Sequence, residues 1–251
     1  MKEKIEIAIQ ILKNSRSLFI LTGAGVSAES GIPTFRGKDG LWKNYSATDL
    51  ATPEAFRRNP ELVWEWYHWR QGIILNANPN PAHYAIVELE KRYKDFLLLT
   101  QNVDNLHQRA GSKNVLELHG NIFRARCLEC NKIIHHQIEQ KFNDSPHPNR
   151  LPKCSCGGLL RPDVVWFGEL IPEGIWQRAM EFLSSADVAI ICGTSGVVWP
   201  AAGIPEIAKN YGAKTIEINL EVTPISPLVD LSLPGKAGEI LPEIVKNLPA
   251  P

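Results

Sequence analysis

The sequence predicts an α/β fold built around a parallel sheet, and three observations carry that prediction. Short, almost wholly apolar runs at 17–21, 96–100 and 188–192 have the length and continuity of strands buried on both faces. Segments with helical starts separate them, several opened by a capping side chain followed by proline. The first run breaks directly into Gly23-Ala24-Gly25-Val26-Ser27-Ala28, which meets the GxGxxA spacing of a dinucleotide-binding turn.

Ile5, Ala8, Ile9 and Leu12 recur at helical spacing, so residues 3–14 are expected to form an amphipathic helix against the first strand. In the turn after that strand, Gly23 permits the tight bend, Gly25 lets the backbone approach a pyrophosphate, and Ala28 is small enough for close helix-to-strand packing. The next helix then points its N-terminus at the phosphates. Residues 31–37 do not continue as a dehydrogenase would: Pro33, Phe35 and Arg36 suit a lid over a ligand and make poor helix.

Thr52 before Pro53 and Asn59 before Pro60 predict the starts of two short helices. The second carries Trp64, Trp66 and Trp69, whose spacing is that of core aromatics. Tyr67 and Arg70 lie three apart on one face, setting a phenol beside a guanidinium. That pair can clamp a carboxylate; a surface salt bridge from Arg70 to Glu65 or Glu90 is the alternative.

Asn80 caps a helix over 81–93, and the strand at 96–100 ends in Gln101-Asn102-Val103-Asp104. A shorter strand at 115–118 ends in His119-Gly120, and the strand at 188–192 ends in Gly193-Thr194-Ser195, a small-residue turn able to admit phosphate or ribose. A further strand at 214–219 ends in Asn219, and 233–238 reads as a loop before a closing helix. Ligands of open α/β sheets bind beyond the carboxyl ends of the strands, so these polar residues are site candidates by position. His119 is the evident base among them, because imidazole titrates near neutral pH. Ser27, Ser30 and Ser195 lack a nucleophile-elbow context, and Cys192 reads as a buried core thiol.

Composition changes from residue 121, where Cys127 and Cys130 form one close pair and Cys154 and Cys156 a second. Two such knuckles suit a zinc ribbon with four thiolate ligands, which leaves no open coordination position and makes the metal structural. His135, His136 and His147, in and after this stretch, could substitute as ligands but are read as solvated. Residues 161–169 leave the ribbon as an extended, aromatic segment.

With 27 Lys plus Arg against 27 Asp plus Glu among 251 residues, no global basic field points to nucleic acid. The N-terminus lacks the pattern of a signal or transit peptide, and no run approaches the ~20 apolar residues of a membrane helix. Five cysteines, four of them in two close pairs, fit a reducing compartment and a metal site, and the chain is expected to be cytoplasmic.

The string from Gly23 through Ser30-Gly31-Ile32-Pro33 to Phe35-Arg36 resembles the sirtuin family of NAD-dependent protein-lysine deacylases. The similarity extends to 100–104, Leu118-His119-Gly120, the four cysteines, 164–169, 193–195 and Asn219. It implies a Rossmann-like domain over 1–36, 81–120 and 163–251, with a small domain made of a helical module at 37–80 and a zinc-ribbon module at 121–162. It also implies NAD in the cleft between them, its adenine end near Gly193, Thr194, Ser195, Asn219, Leu220, Glu221 and Ala237. The nicotinamide end would lie near Ala24, Thr34, Phe35, Arg36, Trp42, Gln101, Asn102, Val103 and Asp104.

In the mechanism the resemblance implies, the acyl-lysine oxygen attacks the ribose carbon bearing nicotinamide, and His119, with Asn102 and Asp104 beside it, deprotonates a ribose hydroxyl. The products are free lysine, nicotinamide and 2′-O-acyl-ADP-ribose. The peptide would pair as an added strand with Val164, Val165, Trp166, Phe167, Gly168 and Glu169. Tyr67-x-x-Arg70 looks like the class III signature for acidic acyl groups, and Ala51 matches the small residue that widens their pocket, implying desuccinylation and demalonylation alongside deacetylation. Mono-ADP-ribosyl transfer would use the same NAD chemistry. A dehydrogenase shares only the glycine turn, and no ribose-binding acid follows it at the usual distance. A nucleic-acid-binding zinc module is disfavoured by the neutral charge.

Overall fold

A computed structural model describes residues 1–35, 40–41, 46–136 and 151–249. The chain runs through α1 (Lys2–Lys13), β1 (Ser17–Thr22), α2 (Ala24–Ala28), α3 (Ala47–Leu50), α4 (Pro53–Arg58), α5 (Pro60–Asn76) and α6 (Pro81–Arg92). It continues with β2 (Asp95–Thr100), α7 (Leu106–Ala110), β3 (Val115–Glu117), β4 (Gly120–Cys127), β5 (Ile133–His135) and β6 (Leu160–Val164). Last come α8 (Glu173–Leu183), β7 (Val188–Cys192), α9 (Ile204–Asn210), β8 (Lys214–Asn219), β9 (Leu231–Pro234) and α10 (Ala237–Lys246).

Six strands form one sheet in the order β3-β2-β1-β7-β8-β9, every neighbouring pair parallel. Alternation of side chains sends Leu18, Ile20, Leu98, Val188, Ile190, Ile216 and Ile218 to one face, where they meet Ala8, Ile9 and Leu12 of α1, Ile86 and Leu89 of α6 and Ile240 and Ile244 of α10. Phe19, Leu21, Leu97, Leu99, Ala189 and Ile191 face the other way onto Ala179 and Leu183 of α8 and Ile204 and Ala208 of α9. Burial on both faces is why these strands are continuous apolar runs, each fully buried Leu, Ile or Val contributing about 1.5–3 kcal/mol. From β1 the chain builds outward through β2 and β3, then crosses to β7 on the other side. A crevice therefore opens beyond the carboxyl ends of β1 and β7.

A second sheet, β5-β4-β6, is antiparallel and carries the cysteines. Its inner residues Ile122, Ala125 and Leu160 share a separate core with Phe56, Val63, Trp64, Trp66 and Tyr67.

Several elements differ from the sequence reading. The second of the two helices expected to be short, α5, has 17 residues; the Asn59 side chain accepts from Leu62 N–H and starts it, and no proline stops it before Pro79. Trp69 lies at the surface, 43% exposed, while Trp64 and Trp66 pack inside. His136 is half-buried against the Trp64 ring, with its Nε2 3.1 Å from His68 Nε2, and is not simply solvated. The expected loop at 233–238 begins as β9, a four-residue edge strand that only its pairing with β8 defines. His147 lies outside the described residues.

Candidate functional site

A cavity of about 1180 Å³ occupies the crevice, walled by the carboxyl ends of the parallel strands on one side and by the second core on the other. Ala24, Ala28, Thr34, Phe35, Gln101, Asn102 and Val103 line it, as do Gly23, Gly25 and His119. On the far side it meets Gly193, Thr194, Ser195, Asn219, Leu220 and Glu221. Ala237 is buried at the start of α10 and does not reach the cavity. Arg36 and Trp42 lie outside the described residues.

The glycines act differently from the expectation. Gly23 N–H donates to Cys192 O at 3.0 Å and Gly25 N–H to Gly193 O at 2.8 Å. A Cβ on Gly25 would sit 2.8 Å from that same carbonyl, so what Gly25 admits at close range is the neighbouring β7 turn. Gly193 has φ 61, and a Cβ there would come within 2.5 Å of Val26 N. The two turns are therefore locked together, and the cradle for a nucleotide is their joint surface. The following helix has only five residues, so its N-terminus offers the amides of a single turn and little macrodipole.

Behind this surface the polar groups satisfy one another. Asn102 Nδ2 donates to Gly23 O and Ser27 Oγ, both at 3.1 Å, and Ser27 Oγ donates to Asp104 Oδ2 at 2.6 Å. The Asp104 side chain is buried, and its other oxygen accepts from Leu106 N–H at 3.0 Å in the turn that leads into α7. Burial raises its pKa, against lowering by the Ser27 and Leu106 bonds. Asp104 thus positions Ser27, and through it Asn102. Ser27 was visible in the sequence only as a poor nucleophile, and nothing in the local pattern marks it as a linker. Gln101 Nε2 donates to Thr194 Oγ1 at 2.9 Å and Asn219 Nδ2 to Thr194 O at 2.6 Å, joining three strand ends.

His119 Nδ1 lies 3.1 Å from Gln101 O. A carbonyl only accepts, so Nδ1 carries the proton and Nε2 keeps its lone pair for the cavity. Burial lowers the His119 pKa, with the Gln101 bond opposing, and the ring is neutral at pH 7.

At the other end, Tyr67, Arg70, Trp66 and Ala51 line the cavity. Arg70 is only 6% exposed and lies over the Phe35 and Trp66 rings, 4.6 and 4.9 Å from their centroids. It is no surface residue, and Glu90 instead accepts from the Lys113 and Asn114 amides. Among the described residues no carboxylate forms an ion pair with Arg70 within 4.0 Å, although Asp104 is near enough to be felt electrostatically. Burial lowers its pKa and raises that of Tyr67.

Val164, Val165, Trp166, Phe167, Gly168 and Glu169 form one wall. Their amides are mostly committed: Val165 N–H to His119 O and Phe167 N–H to Ala51 O at 2.9 Å, Trp166 N–H to Glu169 Oε2 at 2.8 Å, and Glu169 N–H to Trp166 O. An added strand would therefore pair through the Gly168 amide and through carbonyls of the segment. The Glu169 carboxylate is paired with Arg161 and is not offered to a substrate. The cavity also reaches Leu170, Trp176, Trp199 and Val222, which the sequence reading did not single out. Leu170, Trp199 and Val222 stand on three separate loops and Trp176 on α8, so no local pattern groups them.

The four cysteine sulfurs lie within 4.8 Å of one another. Neighbouring sulfurs are 3.5 Å apart for Cys127–Cys156 and Cys130–Cys156, and 3.7 Å for Cys130–Cys154. A tetrahedral zinc with ~2.3 Å bonds has edges of about 3.8 Å, so the set fits one structural ion. No helix among the described residues is long and apolar enough to cross a membrane.

The Sir2 family model matches residues 23–200. A relative named NAD-dependent protein deacylase 2, from Pyrobaculum aerophilum, is 54% identical over 95% of this chain and 93% of its own length. The crystal structure of a Sir2 homolog–NAD complex superposes with a TM-score of 0.87 at 51% identity, covering 96% of this chain and 92% of that one. A Sir2–p53 peptide–NAD+ structure does so with a TM-score of 0.85 at 34% identity, covering 96% of this chain and 97% of the other.

Proposed function

Because this chain belongs to the Sir2 family and is an NAD-dependent protein deacylase, we propose that it removes succinyl and malonyl groups from protein lysines, alongside acetyl. The observation that carries this reading is Arg70, a buried guanidinium lining the cavity with no ion-paired carboxylate among the described residues. A buried charge without its counter-ion is destabilising by several kcal/mol. The distal carboxylate of a succinyl or malonyl group supplies that counter-ion, and the guanidinium fork matches its two oxygens. Tyr67, held neutral by burial, adds a hydroxyl donor. Ala51 leaves room where a larger side chain would close the passage.

The co-substrate is NAD, and bound in this cavity it would supply the ribosyl carbon that takes the acyl oxygen as nicotinamide leaves. Asn102, fixed through Ser27 and Asp104, would orient that end, with Gln101 and Thr34 beside it. His119 Nε2 would take the proton of a ribose hydroxyl, its Nδ1 anchored on Gln101 O. Thr194, Ser195, Asn219, Leu220 and Glu221 would hold the adenosine half. Cys127, Cys130, Cys154 and Cys156 would hold one zinc ion, which would tie β4 to the loop before β6. Acylated peptides would run past Gly168, and the reduced thiols suit a cytoplasmic setting.

Purified protein with NAD and matched succinyl- and acetyl-lysine peptides tests the reading by nicotinamide release and peptide mass. A higher kcat/KM on succinyl-lysine is expected. An acetyl preference would leave a deacylase and remove the acidic-acyl reading.

A further inference from the structure

The Tyr67 hydroxyl receives a hydrogen bond from the wall opposite its own helix. Trp166 Nε1–H donates to Tyr67 Oη at 2.8 Å. An indole N–H can only donate, so the tyrosine oxygen must accept. Among the described residues no other group bonds that hydroxyl, so its own proton is left to point elsewhere, and Tyr67 lines the cavity beside Arg70.

Trp166 is itself rigidly held. The Arg161 guanidinium stacks 3.4 Å above its ring, and the Phe56 ring packs 5.3 Å away. Arg161 is in turn ion-paired with Glu169, whose Oε2 accepts from the Trp166 amide at 2.8 Å. Arg161 Nη2 also donates to Val164 O at 2.7 Å. The clasp fixes the indole, and the indole fixes the phenol.

We infer that Trp166 is a positioning residue for acyl selectivity: by occupying the acceptor side of Tyr67 Oη, it commits the Tyr67 proton to the carboxylate of an acidic acyl group. This rests on the acidic-acyl reading above. Without the indole, the hydroxyl can rotate and turn its lone pairs toward that carboxylate, so succinyl-lysine suffers more than acetyl-lysine. Burial of Tyr67, which raises its pKa, keeps the proton available for donation.

The test measures kcat and KM for succinyl- and acetyl-lysine peptides, at saturating NAD, for the wild-type chain, Trp166→Phe, Tyr67→Phe, the double variant and Phe56→Leu. Trp166→Phe is expected to raise the succinyl-to-acetyl KM ratio about fivefold to tenfold. It should change that ratio less than twofold when Tyr67 is already Phe. Phe56→Leu loosens the packing on the indole but keeps the donor, and should raise the ratio by no more than about twofold; a rise as large as that of Trp166→Phe would mean that packing and not the hydrogen bond sets the ratio. An unchanged ratio in Trp166→Phe, or an equal rise in the Tyr67→Phe background, would overturn the inference while the acidic-acyl reading stands. A wild-type chain with no succinyl preference overturns both. If Trp166→Phe does not fold, the Trp166 indole 15N–1H resonance of the wild-type chain decides. With ADP-ribose present, a shift on adding succinyl-lysine but not acetyl-lysine peptide supports the relay, and equal shifts sink it.

Discussion

The two ends of the cavity are built on opposite electrostatic plans. At the nucleotide end nearly every polar group is already satisfied: Asn102, Ser27 and Asp104 bond one another, Thr194 receives Gln101 and Asn219, and the glycine turns interlock through Gly25 N–H and Gly193 O. At the acyl end Arg70 is buried against aromatic faces with no ion-pair partner among the described residues, and Tyr67 has one hydrogen bond. A satisfied network is stiff and offers a ligand a fixed shape. A guanidinium without its carboxylate is a stored preference, discharged only by a ligand that brings the counter-ion. Chemistry common to all acyl groups belongs to the first end, and discrimination among them to the second.

The largest effect expected from that division is at His119. Its ring sits at the sheet edge, on Gln101 O, remote in role from the acyl clamp. His119→Ala should lower kcat by roughly 10²–10⁴-fold, the usual contribution of a positioned general base. The loss should be alike for succinyl- and acetyl-lysine peptides, with thermal unfolding little changed. A loss much larger for one acyl group would break the separation of the two ends.

Next in size is Arg70→Met, which keeps an unbranched apolar stem and removes the charged guanidinium. Succinyl-lysine turnover, read as kcat/KM, should fall about tenfold to a hundredfold, in keeping with roughly 1.5–3 kcal/mol for a charged hydrogen bond. Acetyl-lysine turnover should fall far less. Because the variant no longer buries an uncompensated cation, its melting temperature should rise or hold. Equal kinetic losses on both peptides would mean that Arg70 shapes the pocket and does not read the carboxylate.

The same division explains what could be read in the sequence. Strands such as Leu18 to Leu21 and Val188 to Cys192 were legible because burial on both faces demands continuous apolar residues. Helix starts at Pro53, Pro60 and Pro81 were legible because Thr52, Asn59 and Asn80 cap through local bonds to backbone amides. Strand β9 was not, since four residues with a terminal proline acquire strand character only beside β8. In the site, the candidates at strand ends followed from a topological rule, whereas the burial of Asp104 among them did not. Its contact with Ser27 spans 77 residues of chain, and no local pattern encodes such a bond. The relay from Arg161 through Trp166 to Tyr67 escaped for the same reason, its final step joining residues 99 apart.

The smallest effect is in the pH profile, and it bears directly on whether the two ends are independent. Burial lowers the His119 pKa from the usual 6.5, and the base must be neutral to accept a proton. The acid limb of kcat/KM should therefore have its midpoint below 6.5, with activity lost as pH falls through it and little change from this group between pH 7 and 8. An acetyl-lysine peptide carries no titrating acyl group, so its limb reports the free enzyme alone. A succinyl-lysine peptide adds its own carboxylate, which protonates near pH ~4–5 as ordinary carboxyl groups do. Once neutral it no longer answers Arg70. The ratio of succinyl to acetyl kcat/KM should then be flat from pH 8 to about 6 and decline only as the carboxylate titrates. A ratio that instead bends together with the acetyl limb would show that protonating His119 alters the acyl end, and that the two halves of the cavity are coupled through the segment where Val165 N–H meets His119 O.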